Sequence, residues 1–453
     1  MAAGRTLFGT DGIRGIANRY PMTPEVALQV GKAVARAFRN GKGPTIVVGK
    51  DTRLSGYLFE NALTAGLVSA GATVYLVGPL PTPAIAHITK SFAADAGIVI
   101  TASHNPAEHN GIKIFDGQGF KLPDEAECAI EGSIMASMTK SGSAQDSPEA
   151  VGKAFRIEDA RGRYIEFVKS TVANRSLKGL KVVLDCANGA AYLVSPTILR
   201  ELGAEVVALN VQPDGLNINE GCGALHPAAL ATAVKEHKAD VGIALDGDAD
   251  RVIMVDERGQ VVDGDQLIAI LALELQREGR LERSTIVGTH YTNRGLDEAM
   301  AKAGIAVKRV ETGDRHIIEE LRENGYNFGG EQSGHLILFD YATTGDGTMA
   351  ALHILRIMQE SKKRLSELAS CMTPWPQLVK SVPVKRKPAI ETLPKVRAAI
   401  AAAEQALGDG GRVFVRYSGT EQKARVMIEA KEEARIAPLA ESIVKAFQEE
   451  VGA

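Results

Sequence analysis

The chain has 453 residues, 45% of them hydrophobic and 24% charged, and its formal net charge at pH 7 is −3. This length predicts about three or four domains, and the small negative charge argues against nucleic acid or acidic membranes as partners. There is no run of about 18 apolar residues and no apolar targeting segment at the start, so we expect neither a membrane span nor secretion. The four cysteines have no CxxC spacing and predict buried thiols in the reducing cytoplasm.

The chain opens with a glycine loop at residues 8–15 that also contains a threonine, an aspartate and Arg14. Glycine frees the backbone, so such a loop can approach an anion closely, although a plain glycine turn is the simpler interpretation. Thr23 and Pro24 then have the N-cap and first-turn residue types of a helix, which we expect to run to Phe38.

Three later segments repeat one pattern of strand, polar loop, helix, glycine and second strand, beginning near Thr45, Lys181 and Ser284. This pattern predicts βαβ units with largely parallel sheets, and its recurrence indicates duplicated domains. Each unit is followed by another apolar strand that ends in an unusual polar loop, at residues 101–106, 246–251 and 329–335. Ligands bind at the carboxyl ends of strands in open α/β sheets, so we expect the three loops to share one cleft.

The remaining chain has a different pattern. Residues 385–387 form a basic run that we interpret as solvated, without a role. A helix at about 393–407, two strands at 412–415 and 425–428 and a final amphipathic helix predict a small α+β domain. We therefore expect three α/β domains of common topology, with mixed, largely parallel sheets, and a smaller α+β domain around a central cleft. The expected boundaries are 1–150, 151–255, 256–370 and 371–453.

Asp246, Asp248 and Asp250 alternate along the second polar loop. In an extended segment, residues two apart point the same way, so we expect the three carboxylates to converge. Converging carboxylates repel unless a cation neutralises them, and oxygen-only ligands favour Mg²⁺. An EF-hand is the alternative, but Arg251 stands where that loop needs glycine.

Ser103 follows a buried strand and is a candidate phosphoryl carrier. Protein-bound Mg²⁺ usually shares a phosphate oxygen, which a phosphorylated serine would supply, and Arg251 could clamp the same group. Lys113 and His104 are close to Ser103 in sequence, and either could move a proton during transfer. An ordinary surface turn is the alternative, because Ser, Asn and Pro are common turn residues.

The third loop has Glu331 and Ser333 in positions that suit two neighbouring sugar hydroxyls, and His335 is a candidate acid or base. A glycine-rich turn is the alternative interpretation. In the last domain, residues 416–421 combine Arg, Ser and Thr side chains with a glycine, a combination that can hold a phosphate dianion.

Four motifs in this order resemble the signature loops of the α-D-phosphohexomutase superfamily, and the resemblance covers essentially the whole chain. They are T-A-S-H-N-P at 101–106, D-G-D-A-D-R at 246–251, G-E-Q-S-G-H at 330–335 and R-Y-S-G-T-E at 416–421. Within that superfamily, residues 8–15, Gln332 and residues 343–347 look most like the bacterial phosphoglucosamine mutase subfamily.

The resemblance implies four domains around a central cleft and a phosphoserine enzyme that interconverts glucosamine 6-phosphate and glucosamine 1-phosphate through a sugar 1,6-bisphosphate, on the way to UDP-N-acetylglucosamine. It implies the following site residues: phosphoserine at Ser103; Mg²⁺ on Asp246, Asp248 and Asp250 together with Ser103; sugar hydroxyls on Glu331 and Ser333; and a distal phosphate on Arg416, Ser418, Gly419 and Thr420. Arg14 and Arg251 join the catalytic candidates. The partner is then a small hexosamine phosphate, and a homodimer is one candidate for the oligomeric state.

Three alternatives stay open at this point. One is a phosphoglucomutase or phosphomannomutase of the same superfamily, which differs in the 2-substituent of its sugar. Another is a non-catalytic sugar-phosphate sensor. The third, a hydrolase using Ser103 with His104, is disfavoured because adjacent residues on a strand point apart. The residue that moves the proton is Lys113, His104 or His335.

Overall fold

The computed structural model describes residues 7–9, 11–39, 41, 43–139, 151–418 and 422–452. Four sheets, of seven, five, four and three strands, follow one another along the chain. The first three are mixed and the last is wholly antiparallel. The expected fold class, three α/β units followed by a smaller α+β unit, is confirmed.

The first unit is built on the seven-stranded sheet, ordered β1-β2-β6-β5-β3-β4-β7. Its elements are β1 Phe8–Gly9, β2 Gly12–Ile16, α1 Pro24–Ala37, β3 Thr45–Lys50, α2 Ser55–Ser69, β4 Thr73–Pro79, α3 Thr82–Ser91, β5 Ala96–Ile100, β6 His109–Asp116, α4 Asp124–Thr139 and β7 Lys153–Arg156. Because β7 pairs with β4, the first sheet extends beyond the boundary expected at residue 150. We place the division after Arg156.

The second unit has the sheet order β12-β11-β10-β8-β9. Its elements are α5 Ala160–Ser170, β8 Lys181–Asp185, α6 Val194–Glu201, β9 Glu205–Leu209, α7 Ala228–His237, β10 Val241–Leu245, β11 Val252–Asp256 and β12 Val261–Val262. β12 lies after residue 255, so we place the second division after Val262.

The third unit has the sheet order β14-β13-β15-β16. Its elements are α8 Gly264–Arg277, β13 Thr285–Thr289, α9 Arg294–Lys302, β14 Ala306–Val310, α10 Asp314–Asn324, β15 Phe328–Gly330, β16 Leu336–Leu338, α11 Gly347–Ser361 and α12 Leu365–Ala369.

The fourth unit has the sheet order β17-β19-β18. Its elements are β17 Gln377–Pro383, α13 Pro394–Leu407, β18 Gly411–Tyr417, β19 Lys423–Ala430 and α14 Ile436–Val451. The sequence analysis did not predict β17. It is a half-exposed edge strand that ends in proline, so it lacks the apolar run of a central strand.

The same four-strand arrangement recurs in the first three units. β5, β10 and β15 each pair in parallel with the first strand of their unit, β3, β8 and β13. Each then pairs antiparallel with the strand that follows it, β6, β11 and β16. The polar loops predicted to share a cleft therefore leave equivalent strand ends, as the repeat indicated.

Local sequence explains where the repeated helices begin and end. The Thr23 hydroxyl accepts the amide of Val26 and Pro24 takes the first turn of α1, a cap that stabilises by about 1 kcal/mol. Gly71, Gly203 and Gly304 follow α2, α6 and α9 with positive φ, which ends each helix before the next strand.

One continuous apolar core joins the second and third units and one face of the first unit, whose other face has a separate core, while the fourth unit has a core of its own. α8 and α11 lie in the shared core and are buried on most of their surface. Among the described residues, no helix is long and apolar enough to cross a membrane. The four cysteines are free thiols; Cys186 and Cys222 are buried, and Cys128 and Cys371 are half-buried.

His353 makes the stability of this core sensitive to acid. Its ring is 3% exposed in α11 and lies 3.2 Å from the Thr171 hydroxyl. Burial, together with the charges of Arg356 and Arg280, lowers its pKa to about 3. An unfolded histidine titrates near pH 6.5, so below that pH the unfolded chain binds a proton that the folded chain excludes, and stability falls as the pH drops.

We expect His353→Gln to weaken this acid sensitivity, because glutamine can still bond to Thr171 but does not take up a proton. Between pH 7.5 and pH 5 the histidine should account for about 2 kcal/mol of lost stability. Urea unfolding of both proteins at the two pH values measures the difference. An equal drop of the unfolding midpoint in the variant would contradict the prediction.

Candidate active site

The first loop places Ser103 three residues after the carboxyl end of β5. The Ser103 backbone is left-handed, with φ of 51°, and its amide donates to the Thr101 hydroxyl at 2.9 Å. The side chain is 1% exposed, and its hydroxyl donates to Asp246 Oδ2 at 2.7 Å. His104 Nδ1 lies 3.3 Å from the same Oγ atom. The structure thus brings together the serine, the first aspartate and a histidine.

The second loop brings its three carboxylates together by a turn, not by the extended segment that the sequence analysis assumed. Residues 246–250 lie between β10 and β11 outside both strands, and Ala249 is left-handed with φ of 57°. The Arg251 amide donates back to Asp246 Oδ1 at 3.2 Å, which closes the turn. A Cβ atom on Gly247 would lie 2.6 Å from the Ser103 carbonyl oxygen, so glycine is required where the two loops meet.

The carboxylates of Asp246, Asp248 and Asp250 have the chemistry of a divalent cation site. All three are buried, and one oxygen of each lies within 4.8 Å of the others. Oδ1 of Asp248 and Oδ1 of Asp250 are buried without a hydrogen-bond partner among the described residues. Burial and the two neighbouring carboxylates raise the pKa of Asp246. A hard cation such as Mg²⁺ fits this all-oxygen set and would relieve the repulsion.

Two predicted cations flank the carboxylates. Lys113 Nζ lies 3.1 Å from Asp248 and 3.7 Å from Asp250. Burial would lower the pKa of Lys113, but these carboxylates and Asp11 outweigh it and raise the pKa, so the lysine is charged. Arg251 Nε is buried 3.8 Å from Asp250 Oδ1 and has no hydrogen-bond partner among the described residues. Its guanidinium is therefore available to an anion.

A bridge between the first and third units was not predicted from the sequence. Asp11, in the opening glycine loop, pairs with Arg14, Lys113 and Lys121. Lys121 pairs in turn with Asp314 at the start of α10. The sequence predicts that this glycine loop can approach an anion. In the structure, the clearest contacts of the loop are the ion pairs of its own carboxylate, Asp11. Asp11 fixes the position of two buried lysines and leaves Arg14 at the cleft.

The two predicted histidines differ in their surroundings. Burial, with the charges of Arg251 and Arg14, lowers the pKa of His104 to about 4, so its ring is neutral at pH 7. Burial alone would lower the pKa of His335, but the carboxylates of Asp250, Asp314 and Glu331 outweigh burial and raise the pKa. The Gly345 amide donates to Nε2 of His335 at 3.0 Å, so the neutral ring carries its proton on Nδ1, 3.7 Å from Asp250.

The third loop presents Glu331 and Ser333 after β15. Glu331 Oε1 accepts the Gly313 amide at 3.2 Å, and the exposed Ser333 hydroxyl lies 3.4 Å from Glu331 Oε2. The two side chains are therefore neighbours, as the sequence analysis expected. Glu331 faces the cleft and keeps acceptor capacity for a ligand hydroxyl.

The fourth loop carries Arg416 and Ser418 at the end of β18; the predicted Gly419 and Thr420 lie outside the described residues. The sequence analysis missed Arg425, which lies directly opposite Arg416 on β19. Both arginines line the same cavity. Lys387, from the basic run interpreted as having no role, donates to the Ser418 carbonyl at 2.7 Å, which corrects that interpretation.

These loops surround one cavity of about 260 Å³. Charged and polar side chains from all four units line it: Asp11, Arg14, Lys121, Asp250, Arg251, Thr312, Asp314, Glu331, His335, Arg416, Ser418 and Arg425. Ser103, Lys113, Asp246 and Asp248 are buried beside Asp250 and Arg251, just behind this lining. Acidic and basic side chains therefore both face one cavity, with Ser103 and the carboxylate triad beside it.

Comparisons with known proteins agree along the whole chain. Sequence models of phosphoglucomutase/phosphomannomutase domains match in order: α/β/α domain I at residues 5–140, domain II at 162–259, domain III at 263–375 and the C-terminal domain at 380–446. Similar curated proteins are the phosphoglucosamine mutase of Syntrophotalea carbinolica, 54% identical over 99% of this chain and 98% of its own, and that of Myxococcus xanthus, 54% identical over 98% and 97%.

Solved structures show the same fold. A phosphoglucomutase/phosphomannomutase family protein from Burkholderia thailandensis is 25% identical and superposes with a TM-score of 0.80 over 98% of this chain and 97% of its own. The Aspergillus fumigatus N-acetylphosphoglucosamine mutase, solved with GlcNAc-6P and magnesium, is 18% identical and has a TM-score of 0.65 over 98% and 97%. Since the four domain models cover most of the chain in order, the chain belongs to the phosphoglucomutase/phosphomannomutase family.

Proposed function

We propose that this protein interconverts glucosamine 6-phosphate and glucosamine 1-phosphate through a phosphorylated Ser103 and a sugar 1,6-bisphosphate, and so feeds UDP-N-acetylglucosamine synthesis. The observation that carries the proposal is the layout of the cleft. The Ser103 hydroxyl donates to a buried carboxylate triad beside the cleft, and Arg416, Ser418 and Arg425 line the same cleft. A reacting phosphoryl group and a fixed phosphate would each have a matching set of side chains there.

Asp246, Asp248, Asp250 and Ser103 would hold the Mg²⁺, and the two orphaned carboxylate oxygens support that assignment. When bound, the ion supplies positive charge that offsets the charge of the transferring phosphoryl group. The protein contributes further positive charge at the same place. Arg251 has a free, buried Nε–H, and Lys113 is held charged between the acidic loops.

In the transfer step, the bond between phosphorus and Ser103 Oγ breaks while a bond between phosphorus and the free sugar hydroxyl oxygen forms. The sugar hydroxyl loses one proton and Ser103 Oγ gains one. Of the three candidates, we infer that His104 passes this proton, because it is neutral at pH 7 and its Nδ1 lies 3.3 Å from Oγ. We assign Lys113 to charge compensation and His335 to orienting Asp250.

The bisphosphate then reorients, and its other phosphoryl group returns to Ser103. We assign the middle hydroxyls of the sugar to Glu331, which lines the cleft, and to its neighbour Ser333, which could bind them in either orientation. Arg416 and Ser418, with the missed Arg425, would bind whichever phosphate is not reacting, and we assign Gly419 and Thr420 to the same loop.

The glucosamine substrate is supported by the names of full-length relatives that are 51–54% identical. A glucose or mannose phosphate is the second candidate, because the matching domain models are described by those activities. We also infer a cytoplasmic location from the four free thiols, and a homodimer stays a prediction.

Ser103→Ala should abolish turnover because the phosphoryl carrier is lost, while binding of glucosamine 6-phosphate should survive because the phosphate and sugar contacts lie elsewhere. Ser170→Ala, at an exposed position in α5, is the matched control. Coupled turnover assays, calorimetric binding and the intact mass of the phosphorylated protein measure the outcome. Near-normal turnover in Ser103→Ala would refute the scheme.

Asp246→Asn should abolish Mg²⁺ binding without destabilising the metal-free protein, because it removes one of three mutually repelling carboxylates and keeps the shape of the side chain. Adding Mg²⁺ should raise the melting temperature of the parent, since a ligand that binds the folded state stabilises it. The same rise in the variant would show that the ion binds elsewhere. Chelation with EDTA should stop turnover of the parent, and Mg²⁺ should restore it.

The sugar itself is tested by comparing glucosamine, glucose and mannose 6-phosphates at equal Mg²⁺ with a trace of sugar 1,6-bisphosphate. We expect kcat/KM for glucosamine 6-phosphate to exceed the others by at least about tenfold, as a site built for one polar substituent discriminates against its replacement. A preference for glucose or mannose phosphate would establish the second candidate. No turnover of any of the three would indicate a non-catalytic sensor.

A further inference from the structure

Arg53 stands out as a cation that the proposed mechanism does not use. Its side chain is completely buried, and its two Nη atoms donate to four backbone carbonyls of the Ser103 loop. Nη2 donates to Ser103 at 2.9 Å and to Asn105 at 2.8 Å, while Nη1 donates to His109 at 3.0 Å and to Pro106. One side chain therefore closes the whole loop from the strand end of β5 to the start of β6.

Asp51 completes the hydrogen bonding of this arginine. Arg53 Nε donates to Asp51 Oδ2 at 2.8 Å, so all five N–H groups of the guanidinium have acceptors. Asp51 Oδ2 also accepts the Thr101 hydroxyl at 2.7 Å, and that hydroxyl accepts the Ser103 amide at 2.9 Å. The amide and the carbonyl of Ser103 are thus both fixed, directly or through one hydroxyl, by the same ion pair.

The second unit holds the same loop from the other side. Asn219 Nδ2 donates to the carbonyl oxygens of Ser103 and Asn105, at 2.9 and 3.1 Å. The residues flanking Arg53 also contact the second unit. The Thr52 hydroxyl donates to the Asn188 carbonyl at 2.6 Å, and the Leu54 amide donates to the Gly215 carbonyl at 2.8 Å. The Ser103 loop is consequently fixed to the unit that carries the aspartates.

We propose that Arg53, paired with Asp51, is a positioning residue that holds Ser103 in the left-handed conformation needed to aim its Oγ at the carboxylate triad. A left-handed backbone is strained for a serine, so other contacts must hold it, and the contacts to its carbonyl do so. Carbonyl oxygens directed at the guanidinium are also turned away from the phosphoryl oxygens that they would repel. This proposal rests on the proposed phosphoserine function.

Arg53→Lys tests it, because lysine keeps the charge but has three donors on one nitrogen in place of five in a planar fork. In the full-length enzyme with Mg²⁺, sugar bisphosphate and glucosamine 6-phosphate, we expect kcat to fall about 100-fold, as an ångström of misplacement does. KM should change less than about threefold, because Arg53 is not among the residues that line the cavity.

The matched control is Lys50→Met, which breaks the buried Lys50–Glu60 ion pair, 2.6 Å long, in the same unit without touching the loop carbonyls. The kcat of Lys50→Met should stay within about threefold of the parent, even if its unfolding midpoint drops as much as that of Arg53→Lys. If Arg53→Lys does not fold, Asn219→Ala decides the matter. It removes donors to two of the same carbonyls from a half-exposed position, and we expect about a tenfold loss of kcat at constant KM.

Three results would overturn the proposal: a folded Arg53→Lys enzyme with parental kcat, a rise of KM that accounts for the whole loss, or an equal kcat loss in Lys50→Met. In the case that Arg53→Lys does not fold, parental kcat in Asn219→Ala overturns it as well. An inactive parent enzyme would instead overturn the proposed function, so the two failures are distinguishable.

Discussion

The mutual repulsion of buried carboxylates is the constraint on which this cleft depends. Asp246, Asp248 and Asp250 lie within 4.8 Å of one another in the second unit, where burial of uncompensated charge costs several kcal/mol per group. The second unit supplies Arg251, but Lys113 comes from the first. Docking of the first unit therefore supplies part of the positive charge that the acidic loop needs. Packing of the two units and the charge balance of the site are thus linked.

Much of the architecture could be predicted because the pattern repeats. Three rounds of apolar strand, helix and glycine predict the same βαβ unit, and the strand after each unit ends at an equivalent place in the sheet. That placed Ser103, Asp246 and Glu331 at one cleft before any geometry was known. The convergence of the carboxylates was predicted for the wrong reason, since a turn with a left-handed Ala249 brings them together.

The part that could not be predicted depends on pairing between distant segments. Arg425 looks like any strand arginine until the register places it opposite Arg416. Asp11 and Lys121 are ordinary surface residue types, and only the packing of the first unit on the third shows that they bridge it. The role of Arg53 is harder still to predict. Most of its acceptors are backbone carbonyls, and the order of side chains in a sequence does not show which carbonyls will lie near an arginine.

The burial of Ser103 links its modification to the cation. A phosphoserine carries a charge of about −1.5 to −2 at pH 7, and here it would add to three carboxylates in a pocket with little water. Arg251 and Lys113 cannot balance so much negative charge alone, and Lys113 is already shared with Asp11. A divalent cation offsets most of the deficit. Phosphorylation should therefore raise the affinity for the cation, and by reciprocity the bound cation should favour the phosphorylated serine.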